Sequence, residues 1–166
     1  MAPVLDLFLP LLGAVAAGGA IGFEREYHGR PAGLRTHILV SLASALLMLA
    51  ATHQIDWMAD TPVDVLRIDP TRMAHGILTG IGFLCGGVIF QQRLSVYGLT
   101  TAASLWLTSA LGVLFGVGLY VLAIPGTVVA LAVLTLFQLF NHSMPQQNIA
   151  DIAVRFRRSG AMDEAQ

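Results

Sequence analysis

Charged residues divide this chain into four long runs that contain none. The runs cover residues 7–23, 36–55, 73–92 and 94–150. A helix needs about 20 mainly apolar residues to cross the hydrocarbon core of a bilayer, so each of the first three runs supplies one crossing. The fourth is long enough for two crossings and a connection, with its break expected in the glycine-rich stretch from Gly112 to Tyr120. The chain therefore reads as an all-α, polytopic transmembrane helical bundle of about five spans. These spans are placed near 5–24, 35–53, 72–90, 101–115 and 119–140. Residues 1–140 form the transmembrane domain on this reading, and 141–166 a short polar cytoplasmic tail. A tail of that length is too small to build a core of its own.

Composition points the same way. Of 166 residues, 55% are hydrophobic and 11% charged, against roughly a quarter charged in soluble domains. Disorder would need low hydrophobicity and a high net charge, and a net charge of −1 does not suit a nucleic-acid binder. The lone cysteine, Cys85, excludes an intrachain disulfide and a cysteine-based zinc site. The N-terminus has no basic stretch and carries Asp6, which argues against a cleaved signal peptide.

Arginine placement sets the expected orientation, because basic residues concentrate in cytoplasmic loops. Arg25, Arg30, Arg35, Arg93, Arg155, Arg157 and Arg158 fall on one side of a five-span chain. Only Arg67 and Arg72 fall on the other, beside Asp56, Asp60, Asp64 and Asp69. The N-terminus is thus expected outside and the C-terminus in the cytoplasm. The four aspartates read as solvated charge that attracts divalent ions only loosely.

The first and third spans echo one another. "GGAI" at Gly18 resembles "GGVI" at Gly86, and "GLRT" at Gly33 resembles "GLTT" at Gly98. This suggests a parallel duplication of a two-helix unit, as occurs in some transporters; chance is the alternative in a text so rich in small residues.

Small residues also mark expected helix contacts. Gly18 and Gly22, Gly76 and Gly80, Gly82 and Gly86, and Gly112 and Gly116 are each four apart, and Gly87 adjoins the third pair. Such pairs let membrane helices approach closely. His75, Thr79, Gly82 and Gly86 share one helical face, as do Thr101, Ser104, Thr108 and Gly112. These two faces are expected to meet.

The first cytoplasmic loop, "EREYHGRPAGLRT", holds the densest charge: Glu24, Arg25, Glu26, Arg30 and Arg35, with Pro31, Gly33 and Thr36 between and after them. Charges at membrane depth are costly unless paired or hydrated, so Glu24 or Glu26 is expected to pair with Arg35. In "DPTRMAHG", Asp69 reads as a helix N-cap with Pro70 at the first helical position and Arg72 in the first turn. The histidines lack metal-ligand spacing and are expected near the membrane interfaces, with His75 alone worth testing. No nucleophile–base constellation is visible, so no catalytic residue and no cofactor is expected, and the chain reads as not an enzyme.

Three stretches carry a family resemblance: "GGAIGFEREYHGRPAGLRTHILV", "DPTRMAHGILTGIGFLCGGVIF" and "VYGLTTAASLWLTSALGVLFGVG". Together they resemble the MgtC/SapB membrane-protein family over about residues 18–120. The family's motif positions fall on Glu24, Arg25, Glu26, Arg30, Pro31, Gly33, Leu34, Arg35 and Thr36. They continue on Asp69, Pro70, Arg72, Gly80, Gly82, Gly86 and Gly87, and then on Gly98, Thr100, Thr101 and Trp106. The resemblance implies a bacterial inner-membrane protein associated with adaptation to low magnesium and, in pathogens, with survival inside macrophages. It also implies regulation of another membrane complex, such as ATP synthase. Many members carry a soluble ACT-like C-terminal domain, and the sequence to Gln166 reads as a short form without one. The expected partners are the lipid bilayer, another membrane complex and a second copy of the chain, with no nucleic acid. A transporter or channel for Mg²⁺ or another cation is the alternative function, although the expected spans carry no acidic residue in their cores.

Overall fold

The computed structural model describes residues 4–58, 69–92 and 95–143. Five long helices account for most of them. These are α1 (Val4–Tyr27), α2 (Leu34–Thr52), α4 (Pro70–Val88), α5 (Leu99–Val117) and α6 (Tyr120–Ser143). A one-turn helix, α3 (Gln54–Trp57), follows α2. The expected helices are all present, with ends within a few residues. The tail from 144, Arg93, and Asp60, Asp64 and Arg67 lie outside the described residues.

Three helices, α1, α2 and α5, are long and apolar enough to cross a membrane, and the described part of α6 is a shorter apolar helix ending at Leu136. The distribution of side chains matches a bilayer environment. The interior is built from small residues: Ala14, Ala17, Ala45 and Ala123 gather around Phe115, and Ala130 packs beside Ile21 and Leu111. Large apolar side chains point outward instead, including Leu12, Phe23, Leu39, Phe83 and Val121. In water such an arrangement would forfeit the hydrophobic effect; in lipid it lets close packing hold the helices together. The chain is a membrane protein.

At the centre of the bundle α2 lies against α5. Helix α1 packs on α2 and α5, α6 on α1 and α5, and α4 mainly on α5. The closeness of the inner helices depends on glycines. A Cβ on Gly18 would stand 2.6 Å from the carbonyl oxygen of His37, and one on Gly22 2.7 Å from the Cα of Leu34. A Cβ on Gly112 would collide with the carbonyl of Ser41, and one on Gly116 would stand 2.7 Å from that of Ala45. At each of these four positions the first atom a side chain would meet belongs to the backbone of a neighbouring helix.

The fifth and sixth helices are joined at Gly118, whose φ of +82° closes the turn before Tyr120. A second junction was not foreseen. Phe90–Gln92 and Ser95–Tyr97 form a short antiparallel ribbon, β1 and β2, between α4 and α5. Its Phe90 and Tyr97 rings stack across the pair, 6.0 Å apart. Polar residues at the end of an apolar run hid it, since three-residue strands are too short to show an alternating pattern.

The two echoing units do share an arrangement, each a helical hairpin packing through its second helix. Their matching glycines behave differently, however. Gly33 has an ordinary extended φ of −88°, whereas Gly98 sits at φ +88°. Gly18 abuts α2, whereas nothing lies within 4 Å of a Cβ placed on Gly86.

Asp69 caps α4 as expected, accepting hydrogen bonds from the Thr71 amide and hydroxyl. These bonds hold its carboxyl below the ordinary carboxylate range. The cap's contribution is thus present above the unfolded-state pKa of about 4 and is lost as pH falls through the lowered folded-state value. Amide-exchange protection at Thr71 and Arg72 should fall on acidification in the parent chain, while Asp69→Asn should flatten that dependence.

The glycine contacts make a second prediction. Overpacking a tight core costs about 1–3 kcal/mol, more than the roughly 1 kcal/mol that alanine gains over glycine in a helix. Gly112→Ala should lower the melting temperature in detergent by several degrees, while Gly80→Ala, with open space around it, should leave it unchanged or raised.

Candidate functional site

Two of the three motif stretches come together at one end of the bundle. The loop after α1 and the β1–β2 ribbon leading into α5 border a cleft of about 670 Å³. Arg25, Arg30 and Pro31 line it from the first stretch, and Gly98, Thr100 and Thr101 from the third. Val133 and Leu134 of α6 form an apolar wall.

The charges at this end are unequally buried. Arg25 is only 3% exposed and Glu24 8%. One terminal nitrogen of Arg25 lies 3.7 Å from the Glu24 carboxylate, and His28 Nδ1 lies 3.2 Å from the other carboxylate oxygen. The Nε of Arg25 is buried without a hydrogen-bond partner. Glu26 is exposed, and its carboxylate accepts the Leu34 amide at 2.8 Å, which ties the loop to the start of α2. Gly33 fits beneath it, since a Cβ there would stand 2.7 Å from the Glu26 carboxylate. The expected pairing of Glu24 or Glu26 with Arg35 does not form. Arg35 is exposed on the first turn of α2; the Leu34 amide lies against Glu26, and the Arg25 and His28 side chains against Glu24, instead. Thr36 is half-buried.

The second motif stretch runs along α4 to the ribbon, and its start lies at the other end of that helix. Asp69 and Arg72 are exposed at the far end of α4, roughly 28 Å from the ribbon at about 1.5 Å per residue. His75 is exposed as well.

The expected meeting of the Thr101–Gly112 face with the His75–Gly86 face is also corrected. The α5 face turns to α2, where His37 Nε2 and Ser104 Oγ are 3.1 Å apart and Ser44 and Ser109 hydroxyls 2.8 Å apart. Helix α4 meets α5 through a different side, with Cys85 against Ala102 and Leu105 and its thiol donating to the Ala102 carbonyl. Gly76, Gly80, Gly82, Gly86 and Gly87 have nothing within 4 Å of a placed Cβ. The α2 side offers small polar side chains that reach α5's face, while Ile81, Cys85 and Val88 pack beside Ala102 and Leu105.

The polar seam between α2 and α5 is the part that the sequence reading missed. His37 is fully buried, not interfacial, and its Nδ1 lies 3.0 Å from the Gly33 carbonyl. Ser41 and Thr108 are fully buried beside it with no hydrogen-bond partner for either hydroxyl. The signal was present: His37, Ser41 and Ser44 recur at four and three residues, the spacing of a single helical face. Interhelical hydrogen bonds in membranes contribute about 0.6–1.7 kcal/mol each. A double-mutant cycle on His37→Ala and Ser104→Ala should return a coupling of that size, and a coupling near zero would assign the seam's cohesion to packing alone.

Comparison with known proteins bears on the whole arrangement. The MgtC family model matches residues 11–143. A protein of Escherichia coli (strain K12) named "Putative magnesium transporter YhiD" is 39% identical over 86% of this chain and 66% of its own length. "Protein MgtC" of Brucella abortus (strain 2308) is 43% identical over 74% of this chain and 48% of its own. "Protein SrpB" of Synechococcus elongatus is 37% identical over 81% and 76%. The chain thus spans about half to two thirds of the length of the first two. No solved structure matches it. With a family match that runs from within α1 to the end of α6 and takes in both walls of the cleft, this chain belongs to the MgtC family.

Proposed function

We propose that this protein is a non-enzymatic, multi-pass component of the bacterial cytoplasmic membrane that acts in adaptation to low magnesium by docking on another membrane complex. The observation that carries the proposal is the open face of α4. Glycine costs a helix interior about 1 kcal/mol relative to alanine, and in α1 and α5 that cost is offset by close approach to a neighbouring backbone. The five glycines of α4 have no such neighbour in the chain, and Phe83 projects among them with 90% exposure. A small-residue surface with one protruding aromatic suits a helix from outside the chain. ATP synthase is the candidate partner that the family resemblance supplies. Positive charge at the cleft end favours placing that end in the cytoplasm, with the N-terminus outside and five crossings.

The second reading is passage of Mg²⁺ or another cation, favoured by the printed name of the YhiD relative. Against it stands the tightness of the α2–α5 seam, where glycine meets backbone and leaves no passage between the central helices.

Docking is tested by replacing Gly80 and Gly87 with leucine. The variant should keep its melting temperature and membrane insertion but lose copurifying membrane partners; an unchanged set of partners would remove α4 from the docking surface. Magnesium flux into sealed liposomes loaded with the purified protein separates the two readings. Absence of flux is expected, and saturable flux would establish the transport reading.

A further inference from the structure

The cleft at the arginine end combines a cationic mouth with apolar surroundings. Three groups converge on the polar part. Arg25 lines it with a side chain 97% removed from solvent and a buried Nε that has no hydrogen-bond partner. Arg30 lines it from the loop. The third group is the N-terminus of α5, a helix of 19 residues whose N-cap is Gly98.

That glycine is dictated by geometry. At φ +88° a side chain is strained, and a Cβ would collide with the Val88 carbonyl. No Ser, Thr or Asp can therefore occupy the cap, and α5 begins without a side-chain cap hydrogen bond. The first amides of a helix have no intrahelical partners, and with the helix dipole they favour an anion. Glu24 offsets part of Arg25's charge, which leaves Arg30 and the helix end as net positive potential.

The polar cleft does not end in solvent on every side. It shares Thr100, Val133 and Leu134 with a second groove of about 570 Å³ that runs between α5 and α6. This groove is apolar, lined by such residues as Leu107, Leu122 and Val129. A cationic cleft at the end of a membrane bundle, opening into an apolar groove along the helices, has the form of an amphiphile. We propose that the site binds an anionic phospholipid, with its phosphate between Arg25, Arg30 and the α5 N-terminus and an acyl chain along the α5–α6 groove.

The test uses the full chain in detergent, titrated with phosphatidylglycerol, with phosphatidylcholine of the same acyl chains, and with inorganic phosphate, and read by native mass spectrometry and by melting temperature. Phosphatidylglycerol should bind at least tenfold more tightly than phosphatidylcholine and raise the melting temperature. Inorganic phosphate should bind far more weakly than the lipid. Arg30→Gln, a change at an exposed position, should weaken phosphatidylglycerol at least fivefold while the melting temperature without added lipid stays at the parent value. Arg25→Gln should do the same where it folds. Val129→Trp, which fills the groove, should weaken the lipid and leave any phosphate binding unchanged. Equal binding of the two lipids, or an Arg30→Gln variant with parent affinity, would overturn the proposal. Phosphate binding as tight as the lipid, unaffected by Val129→Trp, would overturn the lipid assignment in favour of a soluble phosphate compound.

Discussion

Backbone-to-backbone approach along the α2–α5 seam positions everything else in this protein. Between lipid-facing helices there is no water to expel, so the free energy of association comes from dispersion and a few interhelical hydrogen bonds. Dispersion falls steeply with distance, which makes the absence of a side chain at Gly112 and Gly116 a stabilising feature. Gly18 and Gly22 do the same for α1 against α2. Once these three helices are in contact, the loop between α1 and α2 and the start of α5 have nowhere to go but the same end of the bundle.

That end gathers the polar residues an apolar chain can least easily accommodate. Glu24 and Arg25 are buried there together, and His37 bridges from the Gly33 carbonyl to Ser104 across the seam. Glu26 closes the loop by accepting a backbone amide. Glu26 and His37 find their partners locally, across a loop or a single helix contact, because an unpaired polar or charged group is costly at membrane depth. The groups left without protein partners, Arg25 Nε at the cleft and the hydroxyls of Ser41 and Thr108 in the seam, mark where water or a ligand has work to do.

Helix α4 stands apart from this logic. It touches α5 around Cys85 and also borders α2, and none of its glycines meets a neighbouring element closely. In the same chain, glycine therefore has two settings: Gly18, Gly22, Gly112 and Gly116 meet a neighbouring backbone, while the glycines of α4 have open space where a side chain would stand.

The boundaries of the helices were legible in the sequence because bilayer thickness and the cost of burying charge act on each segment alone. The Asp69 cap and the break within Gly112 to Tyr120 were legible for the same local reason. The resemblance of three motif stretches led to the family that the comparison shows. What sequence could not decide was which faces meet. Helical spacing showed that Thr101, Ser104, Thr108 and Gly112 share a face, but periodicity is blind to the identity of the partner. Only the folded bundle set that face against His37, Ser41 and Ser44 rather than against α4. The same holds for the cleft. Arg25 and Thr101 lie more than seventy residues apart, and nothing local places a charge beside a helix end. Tertiary packing does so: the glycines of α1 and α5 let both helices lie against α2, and that arrangement brings the two loops to one end.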